Sequence, residues 1–211
     1  MNTATATPAT ISRADLPAAI GMPFAGGFYG GLIHVDGVLR AQAWAPKAEG
    51  QRKDVWLPRD PGRIIAPHCS DSLANTRAMA EAGSPLAEQV LALRIGGFDD
   101  WAIPARDVLE LAYRHLKPTT RETYASFRDG DNPSSLPPGY PYTKETPAQT
   151  EVAAFREGGA EAFEPGWHWA STQYSADSAW GQYFILGSQN LSSLGYEAWC
   201  RPVRSIQVVG A

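Results

Sequence analysis

Four histidines, two cysteines and a few hydroxyl and carboxylate pairs are the side chains here whose chemistry would be catalytic or metal-binding. His34, His68, His115 and His168 are scattered, with no HxxxH or HExxH pair to put two imidazoles on one helix face. His68-Cys69 could ligate a metal only with help from distant residues. Asp99-Asp100, before Trp101, is one acidic pair where calcium needs about six to eight oxygens; it reads as a turn and cap. Ser171-Thr172 beside His168 has the types of a nucleophile and a base, but Trp167 and Trp169 flank the histidine in an apparent strand, which favours packing. No G-x-S-x-G elbow occurs. No cofactor, metal or catalytic set is therefore expected. Cys69 and Cys200 form no CxxC motif and are either bonded to each other or, with no secretory signal pattern at the start, two separate thiols.

The segment with most chemical variety is "AWGQYFILGSQNLSSLGYEAWC", Ala179 to Cys200. Tyr183, Phe184, Ile185 and Leu186 read as a buried strand, and the small polar run from Gly187 to Gly195 reads as a loop. Aromatic residues return at Tyr196 and Trp199. Strand alternation would put Trp180, Gln182 and Phe184 on one face and Gly181, Tyr183 and Ile185 on the other. Tyr183 and Ile185 then either face a ligand or fill a core covered on both sides. Ile185, Leu186 and Leu191 together would form an apolar contact patch if exposed.

The elements that must position this segment are legible in outline. The 211 residues carry a net charge of −4 and no long basic run, which makes nucleic acid a poor partner. No apolar stretch is long enough to span a membrane, so no insertion is expected. Residues 1–20, rich in Thr, Ala and Pro, read as an extended arm that a partner subunit could order. Residues 21–211 read as one domain. Asp36-Gly37 between two apolar runs predicts a hairpin, and Gly26, Gly27, Gly30 and Gly31 predict bulges or close backbone approach. A broken helix is expected from an Asp71-Ser72 cap, interrupted at Gly83 and restarted at Ser84-Pro85 through "LAEQVLALRI". A second helix runs from near Pro104 to Lys117-Pro118. Residues 118–165 form a long irregular insert, and "WHWASTQYS", "AWGQYFILG" and "AWCRPVRSIQVV" read as three strands. The class is α+β: two helices packed on short antiparallel sheets.

Two stretches, taken in order, carry a resemblance. "GGFDDWAIPARDVLELAYRHL" resembles a DW-x-LP-s-x-x-EL-x-x-L motif, and "WHWASTQYSADSAWGQYFILG…WCRPVRSI" resembles YWSST-x-y-…-AW-x-x-x-F-x-x-G…R-x-VR. The pairing is similar to the Lcl-type C-terminal domain family, of C-type-lectin-like fold, over roughly residues 70–206. Trp101 and Pro104 match the first motif, with Leu109 and Leu111 near its helix positions. Trp169, Ser171, Thr172, Ala179, Trp180, Phe184 and Gly187 match the second, and Arg201, Val203 and Arg204 its closing strand. Ile103, Ala170 and Cys200 depart from the pattern. No EPN or WND calcium-sugar signature is present, nor the paired cysteines of the related formylglycine-generating enzymes.

The segment between the matches also resembles the variable region of proteins diversified by retroelements, which display altered side chains on a rigid frame. That resemblance implies Trp180, Phe184 and Gly187 as frame. It implies a ligand-contacting set of Asp177, Ser178, Gln182, Tyr183, Ile185, Leu186, Ser188, Gln189, Leu191, Ser193, Tyr196 and Trp199, with Ser192 and Leu194 also of the diversified type. The expected function is a non-enzymatic phage or prophage receptor-binding protein, assembled in the bacterial cytoplasm and carried on the virion tail. Its partners would be a host or cell-surface protein or glycan, other tail proteins through the arm, and further copies of itself, with a trimer considered. The alternative is a structural tail or decoration component whose Ala179–Trp199 face is covered by a neighbour.

Overall fold

The computed structural model describes residues 10–124, 126 and 128–210. The chain is mixed α+β, with four α-helices and two curled sheets among the described residues. Residues 1–9 of the expected arm lie outside them. The rest of the arm lies against the fold: β1 (Thr10–Ser12) pairs in parallel with the C-terminal strand, Thr10 opposite Gln207.

After β2 (Pro23–Phe24) come β3 (Gly27–Val35) and β4 (Val38–Trp44), the expected hairpin. Asp36 and Gly37 both have positive φ, +49° and +79°, the pair of values that a turn matched to strand twist requires. The neighbouring glycines make room for Trp44. A Cβ on Gly30 would stand 2.2 Å from the Trp44 indole nitrogen, and the strand bulges between Tyr29 and Gly31. A short helix α1 (Lys47–Gly50) and β5 (Arg52–Val55) follow.

The broken helix is two helices, α2 (Ser72–Glu81) and α3 (Pro85–Leu91). Asp71 Oδ1 accepts from the Ala74 N–H at 3.0 Å, and Ser84 Oγ from the Ala87 N–H at 3.2 Å. The second ends four residues before the expected Ile95, which instead makes a bridge with Phe98. The amphipathic α4 (Arg106–Leu116) buries Val108, Leu109, Ala112 and Leu116. Its first turn has no side-chain cap of its own. The Arg106 N–H donates to Thr172 Oγ1 at 2.8 Å and the Asp107 N–H to the Cys69 carbonyl at 2.9 Å, so the sheet and a loop satisfy the helix end.

The insert is irregular but packed. Among the described residues it contains only β6 (Ser135–Leu136), paired with β3, and a single 3-10 turn at Ala153–Phe155. Phe155 and Phe163 are fully buried. Glu110 on α4, 1 % exposed, accepts from Asn132 Nδ2 and the Tyr142 hydroxyl, both at 2.7 Å, and pairs with Arg114 at 2.8 Å. The buried Lys117 ammonium donates to the Arg121 carbonyl, Thr123 Oγ1 and the Pro147 carbonyl.

The C-terminal part has five strands where three were expected: β7 (Trp167–Gln173), β8 (Ser178–Tyr183), β9 (Gln189–Ser193), β10 (Glu197–Cys200) and β11 (Val203–Val209). Pro202 divides the last expected strand, since it has no N–H to donate, and the chain passes there from one sheet to the other. The order is β1-β11-β4-β3-β2 in the first sheet and β5-β10-β7-β8-β9 in the second. The sheets are not purely antiparallel: β1–β11 and β10–β7 are parallel pairs. Arg201, fully buried at the crossing, donates to the Ala45 carbonyl at 3.0 Å and pairs with Glu161 at 3.1 Å. Nearby, Arg204 pairs with Asp100 and lies 3.6 Å from the Phe98 ring centroid, so the expected acidic turn is the partner of an arginine.

Candidate functional site

Two expectations for the Ala179–Cys200 segment change. The strand β8 ends at Tyr183 rather than running to Leu186, and the polar run expected as a loop forms the edge strand β9. Between them the chain turns tightly: the Gly187 N–H donates to the Tyr183 carbonyl at 2.7 Å, with Gly187 at φ +85°. A Cβ there would also lie 2.3 Å from the Tyr113 ring. Phe184 is fully buried and stacks on Phe163, ring centroids 4.4 Å apart. Phe184 and Gly187, two of the three residues expected as frame, are thus fixed by packing and by the turn. Trp180 is only half-buried, with the Arg106 guanidinium 5.4 Å from its ring centroid and Tyr174 edge-on at 5.7 Å.

Register divides the expected contact set between the two faces of the sheet, because paired residues share a face. Trp180 opposes Leu191, Gln182 opposes Gln189 and Ser178 opposes Ser193. Gln182, expected as a ligand contact, is fully buried, and its amide donates to the Gly187 carbonyl at 2.8 Å, which braces the turn. Tyr183 is on the opposite face, half-buried against Trp167 at 5.3 Å. Ile185 and Leu186 are half-buried in the turn, where their carbonyls accept from Thr119 Oγ1 and the Tyr124 N–H. Leu191 is mid-strand, so the three apolar residues are spread along the hairpin. At its far end Asp177 and Tyr196 are exposed, Tyr196 edge-on to Trp169. Leu194 is core, 3 % exposed. Trp199 lies on β10, two strands from β8, with Lys53 5.4 Å from its ring centroid.

The end of the hairpin near Ser188 opens on a cleft of about 600 Å³. From the sheet it is lined by Trp167, Trp180, Ser188, Gln189 and Asn190. Its other wall is Arg106 from α4 and Tyr124, Ser126, Arg128, Asp129 and Asp131 from the insert. Only Ser188 and Gln189 among the expected contacts line it. The insert's return to the β9 edge is held by long-range anchors at Glu110 and Lys117. Asp129 Oδ1 accepts the outward N–H of Gln189 at 3.2 Å, and Asn190 Oδ1 that of Leu191 at 2.8 Å. The edge is thus closed to strand addition at these positions, leaving side chains to make contacts.

Charge in the cleft is mostly paired. Burial alone would lower Arg106, but Asp107, whose Oδ1 lies 2.8 Å away, outweighs it and holds the guanidinium above its usual value. Arg128 pairs with Asp131 through Nε at 2.9 Å. Burial raises the Asp129 carboxyl, against the backbone N–H groups of Gln189 and Ser126.

The remaining candidates for chemistry are dispersed. His168 is fully buried between Phe163 and Phe184, its Nε2 unbonded, and burial lowers it to about 3. Ser171 and Thr172 are engaged elsewhere, with Asn75 and with the His68 carbonyl. Cys69 and Cys200 are separate free thiols, and burial pushes Cys200 up to about 12. Among the described residues no group of three His, Cys, Asp or Glu could hold a metal, and no helix is long and apolar enough to cross a membrane. No family model matches the chain, and no curated protein matches it.

Proposed function

We propose that this is a non-enzymatic binding protein of C-type-lectin-like fold, a phage or prophage receptor-binding component whose β8–β9 hairpin and its flanks are the recognition surface. One observation carries the reading: exposed residues on β9 and its two turns stand on a frame fixed by Phe184, Gln182 and Gly187. A surface that changes while its support does not needs that separation. Tyr and Leu side chains give contact area, while Ser, Asn and Gln give adaptable hydrogen bonds. The partner is a host or cell-surface protein or glycan, and the location is the virion tail.

The test is binding of the labelled protein to a panel of candidate host cells, beside a variant with Leu191, Ser193 and Tyr196 changed to alanine. Loss of cell labelling with an unchanged melting temperature supports recognition through the hairpin. Equal labelling by both proteins removes the hairpin from recognition. The virion-component alternative is favoured if neither protein labels any cell and both assemble into particles.

A further inference from the structure

We infer that the cleft between the insert and the β8–β9 hairpin receives a lysine side chain of a partner protein, its ammonium seated on Asp129 and its aliphatic stem against Trp180 and Tyr124.

The charges in the cleft single out Asp129. Arg106 is neutralised by Asp107 and Arg128 by Asp131. Asp129 is 9 % exposed and forms no ion pair with any described residue, so one negative charge remains. Among the described residues its carboxylate is met by backbone N–H groups, those of Gln189 and Ser126, and by no cation. A buried carboxylate without a cation is costly, and a cationic group brought by a ligand removes that cost.

Shape and valence then select among cations. Asp129 is largely buried, which favours a slim side chain with its charge at the tip. The Gln189 N–H already takes one lone pair of Oδ1, so a two-pronged guanidinium would have to share that oxygen, while a compact ammonium needs only one. Trp180 and the exposed Tyr124 supply aromatic surface on the way in, which suits a methylene stem and attracts a cation. This deepens the recognition reading and rests on it only for the partner being a protein; the cleft itself can be tested with small cations alone.

The experiment is a titration of the full chain followed by amide and indole NMR shifts, with n-butylammonium, methylguanidinium and sulfate as separate probes. Butylammonium is expected to move the Gln189 amide and the Trp180 indole saturably, and more tightly than methylguanidinium. Asp129→Asn keeps an acceptor for Gln189 and should weaken butylammonium by about tenfold. Tyr124→Ala, which leaves the backbone bond to Leu186 in place, should weaken it less. No saturable shift with butylammonium, tighter binding of methylguanidinium, a response to sulfate alone, or an unchanged affinity in Asp129→Asn would each overturn the assignment. Because cell labelling is not read, failure here leaves recognition through the hairpin a separate question.

Discussion

His168 shows how one residue sets a solution property. Its imidazole is enclosed by Phe163 and Phe184, with a single long contact from Nδ1 to the Gly166 carbonyl at 3.4 Å. Burial, opposed by that contact and reinforced by Arg201 and Lys47, lowers its pKa from 6.5 to about 3. The unfolded chain therefore binds a proton that the folded chain refuses. Stability present above pH 6.5 is lost as pH falls towards 3, at about 1.4 kcal/mol per unit. His168→Phe should flatten that part of the acid limb by about this slope, measured as urea midpoints across pH, whatever its effect at neutral pH. An unchanged slope would mean that the histidine is solvated. Gly187 carries a second expectation at this scale. Alanine there meets both φ +85° and the Tyr113 ring, so Gly187→Ala should cost about 2 kcal/mol or more in urea unfolding.

Among the elements, the hairpin, the capped helices and the packed face of α4 follow from short-range signals. Asp36-Gly37, Asp71, and Ser84-Pro85 each act within three residues of themselves. What the sequence hid depends on long-range partners. The polar β9 is a strand because β8 pairs with it, and its Ser-rich composition gives no alternation to read. The cleft was legible only on its sheet side, at Ser188 and Gln189. Its other wall depends on Glu110, a helix residue whose partners Asn132 and Tyr142 lie over twenty positions away. Glu110→Ala takes the acceptor from the buried Tyr142 hydroxyl and the carboxylate from Arg114, which keeps only backbone carbonyls, and should destabilise by about 3 kcal/mol. Limited proteolysis should then cut between residues 118 and 150 first. Cleavage elsewhere, with that stretch still protected, would show that Glu110 is not needed to hold the insert.

At the scale of the whole molecule, a buried interior carries an exposed hairpin. Two sheets meet where Pro202 and the buried Arg201 pass the chain across, and α4 ties them to the insert. Against this interior the hairpin leaves Asn190, Leu191, Ser193 and Tyr196 exposed and Ser188 half-buried. If that separation serves diversified recognition, sequence change must follow exposure rather than position along the chain. The most direct measurement is deep sequencing of the gene over Trp169 to Arg204 in a population of the source organism. Changes concentrated at Ser188 to Leu191, Ser193 and Tyr196, with Gln182, Phe184, Gly187 and Leu194 constant, are the expected result. A uniform segment, or changes spread evenly over buried and exposed positions, would contradict the account.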